Sequence, residues 1–192
     1  KTMLVDALLH ADNGDDDAAE PPRATDTRAD EQARELSIKA TPVSIVAADS
    51  RGKSYCVNLC DCPGHVAFSD EATAAMRIAD GAVLVVDALE GLVAEGERLL
   101  RAALREHLPL VLVISKLDRL VLELKLPPED CYRKLCHTLD DVNSAICRAL
   151  RDERGLAPDD AETQRWLLAP AKGNGCFSAA FHGWCFSLES FA

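Results

Sequence analysis

The chain has 192 residues, the length of one ordinary α/β domain, and its 48% hydrophobic residues are enough for a core, which excludes a disordered protein. Its 21 basic and 32 acidic residues leave a formal charge of −11, which argues against direct DNA binding, because each phosphate contact normally uses a Lys or Arg. No apolar run reaches membrane-spanning length, and Lys1-Thr-Met3 has neither an initiator Met nor a signal-peptide layout, so an internal piece of a soluble protein is expected.

Residues 2–10 carry apolar side chains at helical spacing, so a helix is expected there. From Ala11 to Glu35 nine acidic residues face Arg23, Arg28 and Arg34, with Pro21-Pro22 and few large apolar side chains, which predicts a mobile acidic loop over 11–35. Two alternating runs, Pro42–Ala48 and Ser54–Leu59, flank a turn at 49–52 and predict an antiparallel hairpin. Helix 67–78, strand 82–86, helix 96–106, strand 110–114 and a long helix over 128–150 follow with short joints. The apolar runs 82–86 and 110–114 are expected to be parallel strands covered on both faces.

A polar insertion at 151–165 precedes a last strand at Gly175–Ser178 and a bend at Trp184–Ser187. The pattern predicts a three-layer α/β domain, mostly parallel with one antiparallel hairpin, whose ligand lies at the carboxyl ends of the parallel strands. Eight cysteines without paired short spacings are expected to be buried, reduced thiols of an intracellular protein. A zinc site from Cys60, Cys62 and His65 has no second C-x-C pair to complete it.

Three short motifs carry chemistry. Lys1-Thr2 directly before a helix matches the end of G-x-x-x-x-G-K-[ST], in which Lys1 reaches the β and γ phosphates, Thr2 places its hydroxyl on Mg²⁺ and the helix N-terminus adds its amides. On its own the dipeptide says nothing. At the end of a strand, Asp61-Cys-Pro-Gly-His65 puts a metal-facing carboxylate at Asp61, a backbone amide for the γ-phosphate at Gly64, and at His65 a side chain able to orient the attacking water. An ordinary turn after a strand is the plainer reading of this motif.

Ser115-Lys-Leu-Asp118 closes a later strand. The Asp118 carboxylate can accept from guanine N1–H and its exocyclic amine, a pair of donors adenine lacks, while Lys116 lays its aliphatic stem along the base. A Ser-x-x-Asp capping box is the alternative. The order and spacing of the three motifs together favour the nucleotide reading.

With Asp61-Cys-Pro-Gly-His65 in place, the chain resembles translational GTPases over essentially its whole length, as one partial GTP-binding domain spanning 1–192. It is most similar to the elongation factor 2 group and, within it, to the branch working in the spliceosomal U5 small nuclear ribonucleoprotein. Ile38–Val43, Gly52–Tyr55, Gly64–Glu71 and Leu122–Pro128 with Asp141-Val-Asn143 carry that choice. Phe181–Phe186 looks more like elongation factor 2, which keeps ribosomal translocation open.

The resemblance implies a P-loop fold, GTP/GDP and Mg²⁺ as cofactors, GTP hydrolysis as a conformational switch, and a large RNA–protein complex, spliceosome or ribosome, as partner. It implies a nuclear location for the splicing branch and a cytoplasmic one for the other. It places Ser178 and Ala179 in the last nucleotide-contacting loop and Ser37 at the switch position usually held by the Mg²⁺-binding Thr.

Several positions depart from the family pattern. Glu35 stands where Gly is usual, so a bend needing positive φ would be strained. Ser115 replaces the usual Asn of the base loop. These changes point to slow turnover or a GTP-holding scaffold. The glycines of the phosphate loop and the strand ahead of it would precede Lys1, so residues 1–192 alone are expected to fold poorly and bind nucleotide weakly.

Overall fold

The computed structural model describes residues 1–13, 25–48 and 52–191, which form two compact units, Lys1–Ala75 and Met76–Ala192. The first unit opens with α1 (Thr2–Asn13) and α2 (Ala29–Arg34), continues through β1 (Thr41–Ala48) and β2 (Ser54–Asp61), and ends in α3 (Ser69–Met76), which begins after a 3-10 turn at Val66–Phe68. The β1–β2 pair is the expected antiparallel hairpin, in register from Thr41 opposite Asp61 to Ala48 opposite Ser54.

Residues 25–35 are not the loop the composition predicted. Thr25, Asp26 and Glu31 are buried and Ala29–Arg34 is helical. Local hydrogen bonds override the acidic composition here. Asp6 accepts from both the backbone N–H and the hydroxyl of Thr25 at 3.1 Å, and Glu31 accepts from the backbone N–H groups of Ile38 (2.8 Å) and Lys39 (2.9 Å). The acidic run 14–24 and the turn residues 49–51 lie outside the described residues.

The second unit holds a four-stranded sheet in the order β3 (Ala82–Asp87), β4 (Leu110–Ser115), β5 (Gly175–Ala179), β6 (Trp184–Ser187). The β3–β4 and β4–β5 pairs are parallel, and β5–β6 is antiparallel, so the expected bend is a fourth strand. Because β4 is central, it is buried along nearly its whole length. As an edge strand of this sheet, β3 is not covered throughout, and Val83 is 55% exposed.

Between strands run α4 (Ala94–Arg105), α5 (Leu117–Leu122), α6 (Pro128–Arg154) and α7 (Ala161–Trp166), with α8 (Leu188–Phe191) at the end. Pro128 starts α6 at the one position where a missing N–H is harmless, and Gly155 at φ +67 ends it, its N–H bonded to Arg151. Between them Thr138, Val142, Ala145, Ile146, Ala149 and Leu150 form the buried stripe of an amphipathic helix.

That stripe meets Leu100 and Leu104 of α4, Leu112 and Ile114 of β4, and Leu168 in one core. The polar insertion expected over 151–165 is partly helix: Arg151–Arg154 finish α6 and Ala161–Trp166 make α7, because Arg154 donates to the Leu104 carbonyl at 2.7 Å and lies over Trp166 at 5.5 Å. Asn143 clamps the backbone of Leu168 in both directions at 2.9 Å, and Asn174 accepts from Ala169 N–H at 2.8 Å, which fixes the approach to β5.

All eight cysteines are free, but none is fully buried, and Cys56, Cys60 and Cys185 are exposed. The first two share one outward face of β2, where period-2 alternation carries both to the same side.

Candidate functional site

In the first unit the start of α1, the segment after α2 and the end of β2 bring four predicted residues together. Thr2 Oγ1 donates to Asp61 Oδ2 at 2.7 Å, and Ser37 Oγ lies 3.1 Å from Thr2 Oγ1. Lys1 Nζ sits 2.6 Å from Asp61 Oδ1 and also donates to the Cys62 carbonyl. The Asp61 side chain is only 2% exposed, so its charge needs these partners.

Two carboxylates the sequence reading had not singled out stand close by. Ser37 Oγ donates to Asp26 at 3.3 Å, and burial, followed by the negative charges of Asp26 and Asp61, pushes the Asp6 carboxyl above the usual carboxylate range despite the bonds from Thr25. Crowded anionic and hydroxyl oxygens favour a hard divalent cation. Two hydroxyls and one carboxylate are a donor set that fits a Mg²⁺ retaining water and phosphate oxygens. Among the described residues no three His, Cys, Asp or Glu side chains converge on a metal position, including Cys60, Cys62 and His65.

Gly64 follows with open space where a Cβ would be, so no neighbour among the described residues requires a glycine there. His65 is exposed and caps the 3-10 turn: its Nδ1 accepts from Ala67 N–H at 3.1 Å, and its ring stands 5.9 Å from Phe68. An accepting Nδ1 leaves the proton of the neutral ring on Nε2. The segment after α2 is tied to α3 by Lys39 and Glu71, whose Nζ and Oε1 lie 2.5 Å apart, and Glu35 has φ +52 at the end of α2, the left-handed bend foreseen at that position.

In the second unit the carboxyl ends of β4 and β5 carry the other predicted residues. Ser115 is buried and donates to the Val86 carbonyl at 3.3 Å. The α5 N-cap is Lys116, in the left-handed region at φ +59 and without a side-chain cap bond, so Ser115 and Asp118 do not form the alternative capping box. Lys116 Nζ is 2.7 Å from Asp87 Oδ2, an acid that lies one residue past the apolar run 82–86 and so carries no signal in that run. Asp118 Oδ2 lies 3.7 Å from His182 Nε2.

Ser178 and Ala179 are fully buried and sit in β5 itself, opposite Cys185 and Trp184 of β6, rather than in a loop. Antiparallel pairing with β6 extends the strand past its last partner on β4, Ile114 opposite Phe177. The Ser178 hydroxyl is buried with no partner among the described residues.

The family described as the elongation factor Tu GTP binding domain matches residues 1–188. The chain is 49% identical over 190 residues to the 110 kDa U5 small nuclear ribonucleoprotein component CLO of Arabidopsis thaliana, covering 99% of this chain and 18% of that protein. It is 51% identical over 170 residues to the 109 kDa U5 small nuclear ribonucleoprotein component GFL of the same plant, 88% of this chain and 16% of the relative. To the pre-mRNA-splicing factor cwf10 of Schizosaccharomyces pombe it is 41% identical over 197 residues, 100% of this chain and 19% of the relative. The chain thus spans less than a fifth of the length of these curated relatives. A mixed α/β fold with a parallel-dominated sheet, and a match over nearly all of its residues, make this chain a member of the elongation factor Tu GTP-binding domain family, a P-loop NTPase fold that binds guanine nucleotide.

Proposed function

We propose that residues 1–192 are part of one translational-type GTP-binding domain that hydrolyses GTP to GDP and phosphate and works as a conformational switch in pre-mRNA splicing, within the U5 small nuclear ribonucleoprotein in the nucleus. The observation that supports the chemistry is the cluster of Lys1, Thr2, Ser37 and Asp61. The splicing assignment rests on the relatives, all three of which carry a U5 or splicing name at 41% identity or more.

In this reading Lys1 contacts the β and γ phosphates, and Thr2, Ser37 and Asp61 hold Mg²⁺, Asp61 through water. Bound there, Mg²⁺ would supply positive charge against the negative charge that develops on the phosphates. Gly64 offers its amide to the γ-phosphate through the space left by its missing side chain. His65 orients the attacking water by donation from Nε2–H, since Nδ1 is engaged with Ala67; in that tautomer it positions the water rather than removing its proton. Asp118 reads the guanine edge, Lys116 supports the base face, Ser115 fixes the loop to β3 through Val86, and Ser178 and Ala179 supply polar atoms at the end of β5.

A scaffold that holds GTP with little hydrolysis is the second reading, favoured by the engagement of His65 in capping and by the strained Glu35. Single-turnover assays on the full-length protein separate the two, because a scaffold retains its γ-phosphate over the lifetime of the complex.

Two measurements test the main reading. Asp118→Asn in the full-length protein should shift preference from GTP toward xanthosine triphosphate; an unchanged preference removes Asp118 from base reading. Gentle purification of the full-length protein should enrich U5 small nuclear RNA, whereas ribosomal RNA in its place would make the protein a translocase.

A further inference from the structure

Asp87 ends β3 directly opposite Ser115 at the end of β4, in parallel register. Its carboxylate is 13% exposed, and its two oxygens serve different partners. Oδ1 accepts from the Leu89 backbone N–H at 2.8 Å, and the Asp87 carbonyl accepts from Gly91 N–H at 2.9 Å, which closes the turn after β3. Oδ2 is thereby aimed at Lys116 Nζ, 2.7 Å away, with Arg119 Nη1 farther off at 3.7 Å.

Arg119 is engaged elsewhere, since its Nε donates to Glu123 at 2.7 Å, so Lys116 is the near cation. Burial works to raise the Asp87 pKa, but the bonds from Lys116 and from the Leu89 and Glu90 backbone outweigh it and hold the carboxyl below the usual range. Asp87 is therefore ionised at neutral pH.

The lysine has more freedom to lose than the acid. Half of its side chain is exposed, and a lysine stem has many rotamers to lose when its end is held. A stem that must present one flat edge to a base is useful only if its end is anchored. Lys116 is anchored at both ends, by the left-handed backbone that starts α5 and by the carboxylate that receives its ammonium.

We propose that Asp87 is the positioning residue for Lys116, fixing the lysine stem under the guanine and so setting the affinity for the nucleotide without setting which purine is chosen. The inference rests on Lys116 being the base-supporting residue of the proposed function. It separates two acids whose names alone do not distinguish them. Asp118 is a selector, acting on base edges; Asp87 acts only through the lysine.

The test is a double-mutant cycle in the full-length protein, with GDP and inosine diphosphate affinities measured by titration calorimetry. Asp87→Asn keeps an oxygen for the Leu89 N–H and replaces the charged acceptor facing Lys116 by an amide NH₂ donor. It should weaken GDP binding by about tenfold, as expected for one charge-assisted contact, with the GDP-to-inosine-diphosphate ratio unchanged. Lys116→Ala should lose at least as much, and the double variant no more than Lys116→Ala alone, because the two act as a unit.

GDP affinity unaltered by Asp87→Asn, a changed ratio, or losses that multiply in the double variant would each overturn the role of Asp87. Unchanged GDP affinity in Lys116→Ala would instead overturn the reading of Lys116, and this inference with it. Should Asp87→Asn fail to fold, Lys116→Met probes the same bond from the other side: it keeps the apolar length and loses the ammonium. Weakened GDP binding is expected there too, and wild-type binding would count against the anchor.

Discussion

Thr2 and Asp61, 59 positions apart in sequence, share a 2.7 Å hydrogen bond that joins the first turn of α1 to the last residue of β2. The bond closes a network whose remaining members, Lys1 and Ser37, come from two further positions of the same unit. Such a network draws hydroxyl and carboxylate oxygens close together, each tied to a neighbour. Asp61→Ala should abolish the stimulation of GTP binding by Mg²⁺: the full-length protein should bind GTP at least about tenfold more tightly in Mg²⁺ than in chelator, and the variant equally in both. A persisting Mg²⁺ dependence would place the metal elsewhere.

The cap that His65 provides and the water-orienting role proposed for it can be separated by substitution. Its Nδ1 caps the turn that leads into α3, a task an Asn side-chain oxygen can also perform, whereas orienting water requires the ring's far nitrogen. His65→Asn should slow single-turnover hydrolysis by about a hundredfold with nucleotide affinity nearly intact. His65→Ala should show the same slowing and a small added loss of thermal stability. Equal turnover in wild type and His65→Asn would leave His65 as a cap alone.

Glu31 organises the segment that carries Ser37. It is 1% exposed and accepts from the N–H groups of Ile38 and Lys39, and more distantly from Arg28 at 3.4 Å. Burial alone would raise its pKa, but the backbone donors at Lys39, Ile38 and Arg28 win and hold it below the usual glutamate range. A depressed folded-state pKa means that its stabilisation is complete above the ordinary glutamate pKa and lost as pH falls through the lower, folded value. Hydrogen-exchange protection of residues 31–40 should therefore be constant around neutrality and fall only in acid. Glu31→Gln should cost about 2 kcal/mol at neutral pH, since its amide must turn one N–H donor toward other donors. Undiminished protection in that variant would show that the bonds are not what orders the segment.

Glu35 supplies a test of backbone strain free of side-chain chemistry. At φ +52 a residue with a Cβ is disfavoured by roughly 1–2 kcal/mol, and glycine is not. Glu35→Gly should therefore be more stable than Glu35→Ala by about 1 kcal/mol, the difference being reduced by the greater freedom glycine gives the unfolded chain. Thermal midpoints of the two variants measure it. If Glu35→Ala proves the more stable, the bend is not strained in solution.

Much of this molecule was legible in the amino-acid order because the signals are local. Alternation at 42–48 and 54–59 gave the hairpin, the apolar runs at 82–86 and 110–114 gave two strands, and Lys1-Thr2, Asp61-Cys-Pro-Gly-His65 and Ser115-Lys-Leu-Asp118 marked the ends of elements. The left-handed bend at Glu35 was likewise readable, through the glycine usual at that position. Short elements were missed where periodicity is weak. The helices α2 and α7 and strand β6 each have few residues, and they form through bonds from Glu31, Arg154 and the edge of β5 that composition does not announce.

The sequence by itself therefore determined the mixed α/β class, the order of the motifs and the residue types able to meet phosphate, metal and guanine, all of which depend on neighbours within a few positions. Only the tertiary structure decided which charges share a partner: that Asp61 is met by both Lys1 and Thr2, that Ser37 stands beside Asp26, that Lys116 is claimed by Asp87 and that His182 faces Asp118. A buried carboxylate must find its cation or hydroxyl wherever the chain's return brings one within about 3 Å, and that return is set by the packing of whole elements.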